Sequence, residues 1–388
     1  MKRALILVGA TLLGLLGGCG WWKERSTKRE NVAPPRPLAE LVPTLKVQTL
    51  WQTSVGKGAG RSGVRLGPNV IDGRVYAASV NGRIAALDAT TGKALWNKGT
   101  KYEFASAPAV DGDLLVVGTL NGEVVALDAK SGAERWTDEV SSEVISMPAV
   151  ALGTVVVRSN DGHVFGLDAA NGTRRWTYDR TAVPLLSLRG NAAPLLDGSA
   201  VYLGGDNGKV IALRGDNGGT LWEQTLALNE GRTEVERLND ADGALVFDGG
   251  TLFAASHHGS VAALAANNGR PLWTREFSSY TGTAVSGTQV FSVDADSNVW
   301  ALDRSTGGSS WKQDALLHRW LTAPAVQGDY VVVGDVEGYV HWLAQSDGHA
   351  VARERLAKDP IRAQPVVAGD TVFVEDDTGR IAAYRIAP

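Results

Sequence analysis

The chain has a single cysteine, Cys19, so no disulfide can form within it and redox chemistry on paired thiols is excluded. It also has no long basic run: 38 Lys and Arg stand against 42 Asp and Glu, for a formal charge of −4, which gives nucleic acid no electrostatic footprint. The apolar stretch from Ala4 to Leu16 is too short to span a bilayer as a helix. What remains is an ordinary globular composition, 44% hydrophobic and 21% charged, rich in glycine (46) and tryptophan (12). A chain of this length and composition has enough apolar material to bury a large core.

The first residues read as a processing signal. Lys2 and Arg3 precede the apolar stretch, which ends in Leu16-Gly17-Gly18-Cys19. The small residues suit a signal peptidase, and the sequence looks like a bacterial lipobox in which Cys19 becomes the lipidated N-terminus of the mature chain. Three acyl chains exceed the two signals that stable membrane anchoring needs. Gly20 in place of an aspartate implies, by resemblance to sorted lipoproteins, release to the outer membrane, with the protein on its periplasmic face. The expected domains are a signal peptide over 1–18, a lipidated cysteine and tether over 19–45, and a folded unit over 46–388. The tether is mixed in charge and then proline-rich (Pro34, Pro35, Pro37).

The folded unit is repetitive. Gly-x-x-x-Ala-Leu-Asp-x-x-x-Gly-x-x-x-Trp recurs about every forty residues, with clear copies at Gly82–Trp96, Gly122–Trp136 and Gly162–Trp176. Weaker copies run from Gly208 to Trp222, Gly259 to Trp273 and Ser297 to Trp311. Two more, starting at Gly338 and Gly379, lack the tryptophan. Runs such as Arg83 to Leu87 read as half-buried strands, and Thr91-Gly92 or Asn171-Gly172 as tight hairpin turns. A second hairpin precedes each, giving four antiparallel strands per unit. The expectation is all-β: an eight-bladed β-propeller of four-stranded blades. Val47 to Trp51 reads as an outermost strand with no blade before it, so it is expected to pair with Ile381 to Ile386 and close the ring. The repeated tryptophans are expected to pack between blades, and Asp88, Asp128, Asp168 and Asp303 to brace turns.

The period breaks at defined places. From each tryptophan to the proline that marks the next inner strand is 12 residues after Trp96 and after Trp136, 18 after Trp176, and 22 from Trp222 to Ala244 at the proline position. The first insertion holds Leu185, Leu186, Leu188 and Arg189, and the second holds Glu234, Glu236, Arg237, Asp240 and Asp242. In an up-and-down blade these connections emerge side by side on one face. One reading makes them a protein-binding surface with an apolar and an acidic part; the other folds the leucines back onto the propeller.

Other motifs carry less. Gly58-Ala59-Gly60-Arg61-Ser62-Gly63 fits a dinucleotide fingerprint, but Leu66-Gly67-Pro68 follows where a helix is needed, so it reads as an enlarged loop. Asp294 to Asn298 opens like a calcium loop, yet Val299 and Ser305 stand where the motif needs glycine and glutamate. His257 and His258 are adjacent and on a strand would point to opposite faces. No catalytic residue, cofactor-binding residue or metal ligand is assigned.

The repeat resembles that of the pyrroloquinoline-quinone (PQQ) dehydrogenases. Those enzymes hold quinone beside calcium and stack a vicinal disulfide on it, which a chain without paired cysteines lacks. The whole chain, by its lipobox, its eight repeats and the segments Leu186 to Gly190 and Arg237 to Asp242, resembles the BamB family of lipoproteins of the outer-membrane β-barrel assembly machine. That resemblance implies a non-enzymatic scaffold without cofactor that docks a POTRA domain of BamA through Leu186, Leu188, Arg189, Asp240 and Asp242 and serves unfolded outer-membrane protein precursors. The alternative is a PQQ-dependent periplasmic enzyme or a quinone-free binding propeller.

Overall fold

Short apolar runs separated by Asp-Gly, Asn-Gly and Thr-Gly turns fold into hairpins, because a glycine at positive φ reverses the chain within two residues. The computed structural model describes residues 33–179, 192–205, 208–226, 241 and 243–387, and these form 32 strands arranged as eight four-stranded antiparallel sheets. The chain is an eight-bladed β-propeller. Blades one to seven span 69–99, 109–139, 149–178, 195–225, 246–276, 283–313 and 325–355, each with its strands in sequence order from the axis outward. Blade eight takes three strands from 366–386 and its outermost from Val47–Ser54. Each inner strand touches those of its two neighbours, and Val366–Ala368 touches Asn69–Ile71, so the ring closes about one axis.

The second and third strands of each blade are buried on both faces. Leu114–Gly118 is buried throughout, as are Ile84, Ala85, Ala86 and Leu87. The sequence reading of such runs as half-buried therefore fails, because every blade is sandwiched between two others and alternate residues face alternate neighbours. Tyr76 and Ala78 pack with Leu115 and Val117 of blade two, while Val75 and Ala77 pack with Phe373 and Ile381 of blade eight. The outer strand is mostly exposed, as in Ala94–Gly99, where Trp96 alone is buried.

The tryptophans pack between blades, as expected. Each of seven indoles lies beside a small residue of its own blade, as in Ala86 opposite Trp96 and Gly166 opposite Trp176. Each donates its Nε1–H to a carbonyl of the next blade: Trp96 to Ala129 at 3.0 Å, Trp176 to Gly215 at 2.9 Å, Trp51 to Ala89 at 2.9 Å. Beneath each ring sits the turn glycine of that next blade. A Cβ built on Gly132 would stand 2.8 Å from the Trp96 ring, and the residue's φ of +68° disfavours a side chain independently. The aspartates brace these turns: Asp88 Oδ1 accepts from the Thr91 N–H (2.8 Å) and hydroxyl (2.7 Å), bonds that hold its carboxyl below the usual range.

Ring closure reproduces a hairpin without its turn. Val47–Ser54 pairs with Arg380–Ile386 from Val47 opposite Ile386 to Ser54 opposite Arg380, with a register shift just before Trp51. Blades one to seven shift register at the same place. With no third-to-fourth-strand turn in blade eight, an outer tryptophan on blade seven would have no glycine to sit on. Blade seven accordingly inverts the pair. Trp342 stands on the third strand opposite Ala352, fully buried, and donates to Gln327 Oε1 at 2.7 Å. Gln327 Nε2 passes the link on to the Asp370 carbonyl of blade eight at 2.7 Å. The copy that looked degraded in sequence is thus an adapted one.

Residues 36–45, expected to be tether, are bonded to the propeller. Arg36 N–H donates to the Leu317 carbonyl (3.0 Å), Arg353 donates to Ala39, and the N–H groups of Thr44 and Leu45 to Val351. This strap runs down the free edge of blade seven and leads into the closing strand.

These contacts set a graded expectation for alanine at turn glycines. Gly112 also has positive φ (+56°) but nothing within 4 Å of a Cβ, so Gly112→Ala should cost only the backbone term, about 1–2 kcal/mol. Gly132→Ala meets the Trp96 ring as well and should cost at least about 2 kcal/mol more. Urea unfolding of the two variants checks the difference; equal losses would mean that the indole seat contributes nothing.

Candidate functional site

The fourth strand of each blade ends on the face from which the next inner strand starts, so all blade-to-blade connections emerge there. They surround a cavity of about 270 Å³ on the axis, with Arg65, Met147, Ala192, Ala244, Tyr280 and Trp320 in its wall. The two long connections reach this wall at Ala192 and Ala244. Leu186, Leu188, Arg189, Asp240 and Asp242 lie outside the described residues, as does Cys19.

One residue between the two aspartates is described. Ala241 is fully buried, its N–H donates to the Gly205 carbonyl at 2.9 Å, and its own carbonyl lies against the Cα of Gly204, where any side chain would collide. Arg158 of blade three, 3% exposed, donates to the Gly204 carbonyl at 2.8 Å from the other side. The second long connection is thus fastened to blade four at Ala241, close to where the next blade begins. Sequence reading missed Arg158, whose only signal was an arginine closing an otherwise apolar strand.

The connection from blade six to blade seven carries a buried charge cluster. Arg319, 1% exposed, donates from Nε to Asp335 Oδ2 (2.7 Å), from Nη2 to Glu337 (2.5 Å) and from Nη1 to the Arg36 carbonyl (2.9 Å). His341, also buried, reaches the same Asp335 oxygen at 2.9 Å. Three acceptors around one guanidinium offset the cost of burying it, and one of them grips the strap. Next to this cluster, Trp320 is about half exposed at the cavity rim with φ +52°.

The weighed motifs resolve as turns. Asp294 spends its Oδ1 on the N–H groups of Asp296 and Asn298 and its Oδ2 on Asn298 Nδ2 and Trp300 Nε1, so a hairpin brace occupies the calcium-like sequence. Gly58–Gly63 is a loop whose Ala59 packs with Val64, Leu66 and Ala105. His257 and His258 sit in a hairpin turn rather than on a strand, so the opposite-face expectation does not apply. Their rings stack at 3.9 Å, and burial with the neighbouring ring pushes His257 down to about 4. Among the described residues no three His, Cys, Asp or Glu side chains gather to hold a metal, and no helix is long and apolar enough to cross a membrane. The described cavity wall contains no carboxylate, imidazole or amine, and burial pushes the Tyr280 hydroxyl above its usual range.

Blade eight holds a costlier group. Glu375 is 2% exposed with neither oxygen hydrogen-bonded among the described residues, and burial, with Asp376 and Asp377 nearby, pushes its pKa well above 4.5. A carboxyl raised on folding carries no penalty below the unfolded pKa and loses stability as pH climbs from there toward the folded value. Glu375→Gln should therefore raise the urea midpoint at pH 7 to 8, with the gain fading as pH falls to about 4. A gain independent of pH would assign the effect to packing instead.

A family model described as outer membrane protein assembly factor BamB matches residues 46–117, 81–313 and 315–387. The outer membrane protein assembly factor BamB of Xanthomonas campestris is 43% identical over 100% of this chain and 98% of its own length. The protein of the same name from Pseudomonas aeruginosa is 49% identical over 93% of this chain and 95% of its own. The crystal structure of BamB from Moraxella catarrhalis superposes with a TM-score of 0.80 at 28% identity, over 88% of this chain and 100% of that one.

Proposed function

The chain belongs to the BamB family of outer membrane protein assembly factors, and from that premise we propose that it works without catalysis, as a lipid-anchored scaffold on the periplasmic face that docks a POTRA domain of BamA. The observation that carries this reading is the placement of both long connections on one face of an otherwise regular ring, one of them fastened at Ala241. A loop held at Ala241 presents the flanking Asp240 and Asp242 at lower entropic cost than a free one, which favours recognition. Leu186, Leu188 and Arg189 supply an apolar contact with one cation, and Asp240 and Asp242 an acidic one. A rigid disc so docked holds the partner's domain array in place and raises the local concentration of unfolded barrel precursors. The quinone-enzyme alternative finds no support in the cavity, since the described wall has no carboxylate to hold calcium against a quinone.

Arg189→Glu, or the pair Asp240→Asn with Asp242→Asn, should weaken BamA binding at least about thirtyfold, the ~2 kcal/mol of an interface hot spot, with the melting temperature unchanged. Full co-purification of BamA with both variants would sink the site assignment. The anchor is tested separately. Cys19→Ala should leave unprocessed protein out of the outer-membrane fraction, and outer-membrane recovery equal to wild type would refute lipidation at Cys19.

A further inference from the structure

The face that carries the connections is divided by charge. The connection from blade eight to blade one holds Lys57, Arg61 and Arg65, the next one holds Lys101, the one from blade seven to eight holds Lys358 and Arg362, and Arg83 opens the third strand of blade one just after the adjoining turn; all seven are exposed. These elements are contiguous. A Cβ on Gly67 would meet Ala363, the Gly60 N–H donates to the Asp377 carbonyl, the Lys57 N–H reaches Asn81, and Leu66 packs with Ala105. Among the described residues Lys57, Arg61, Arg83, Lys101 and Lys358 form no ion pair, and the acids of the sector are few: Glu103, Asp359, a Glu337 that pairs with the buried Arg319, and an Asp377 that pairs with Arg362 at 2.7 Å. Blades two and three present Glu123, Glu139, Glu143, Asp161 and Asp179 on the same face. In a chain of net charge −4, cations gathered into one sector make a local positive field.

We propose that this cationic sector, spanning blades seven, eight and one, docks on the anionic headgroups of a phospholipid surface. In the eight-membered ring it lies opposite the long connections that follow blades three and four, so one face serves a protein on one side and lipid on the other. The strap favours lipid over an acidic protein. It fixes Arg36 at this face between blades six and seven, beside the sector, and from Arg36 to Cys19 the chain reaches at most about 60 Å. This preference for lipid rests on the anchor reading above. With a screening length of about 8 Å, clustered cations act only at close approach, and a tether of this reach makes such approaches frequent by keeping the sector near the surface.

Residues 46–387 close the ring and bury its cores by themselves, so unlipidated protein starting at residue 20 is a valid probe. It should sediment with phosphatidylethanolamine vesicles containing about 30% phosphatidylglycerol at low salt, but not with phosphatidylcholine vesicles, and should be released by about 0.3 M salt. The triple variant Arg61→Glu, Lys101→Glu, Lys358→Glu should bind at least about tenfold more weakly at an unchanged melting temperature. The variant Lys93→Glu, Lys130→Glu, Arg270→Glu carries the same charge change on the opposite face and should bind like wild type. No sedimentation, equal binding to the neutral vesicle, or equal loss in both variants overturns the proposal. So does a sector variant that leaves vesicles untouched but loses an acidic protein from a membrane extract, which would make this a protein contact. Because the probe has no lipid, a failed anchor would appear only in fractionation of the Cys19 variant and cannot be mistaken for failure here.

Discussion

The ring depends on one repeated contact, an indole laid on the glycine turn of the neighbouring blade. Burying an indole removes roughly 150–250 Å² from water, about 4–6 kcal/mol at the usual area coefficient and an upper bound for a real unfolded chain. The hydrogen bond to the next blade adds only about 1 kcal/mol, so packing sets the strength and the bond sets the orientation. This contact draws on two repeats at once, since Trp96 needs Ala86 of its own blade and Gly132 and Ala129 of the next. The sequence motif therefore describes an interface rather than a unit.

That constraint explains the two irregular ends. The register shift before Trp51 persists although no turn joins the paired strands, so it follows from seating the indole rather than from hairpin geometry. Blade seven has no turn to lean on and turns its tryptophan inward, where Trp342 meets Tyr384 edge-on at 5.7 Å and Gln327 relays the hydrogen bond. The bare edge left there is covered by the strap. Prolines at 34, 35, 37 and 43 deny it a continuous ladder, which suits a segment that must shield an edge without adding a strand.

The blade count, the role of the tryptophans and the closing strand were legible because each leaves a mark at fixed spacing. The inversion at Trp342 was not, because a residue moved to the partner strand reads as a missing one. Nor was the strap. Its composition is that of a tether, and what holds it are its own backbone groups: N–H groups bonded to Leu317 and Val351, and carbonyls gripped by Arg319 and Arg353, from about 280 to 315 residues away in the chain. The long connections were visible as breaks in period, whereas the cavity wall collects one or two residues from each connection, which no local pattern reveals.

One strand position bears on how several of the connections are seated. The last residue of the second strand is Ala78, Gly118, Arg158, Gly204, Ala255, Val293, Gly334 and Glu375 around the ring. Where it is glycine, the connection drops into the space: Val144 over Gly118, the Ala241 carbonyl over Gly204, Ile361 over Gly334. Where it is large and charged, the slot is filled from within. Those blades, three and eight, are followed by connections of 18 and 17 residues between tryptophan and proline, against 12 for regular ones. A filled slot removes the seat that keeps a connection short, and the chain above it is free to lengthen. The longest connection, after blade four, keeps its glycine and uses it late, seating Ala241 just before the next blade. At Gly118, Arg158, Gly334 and Glu375 one buried position thus separates a connection that packs down on the face from one that builds out from it.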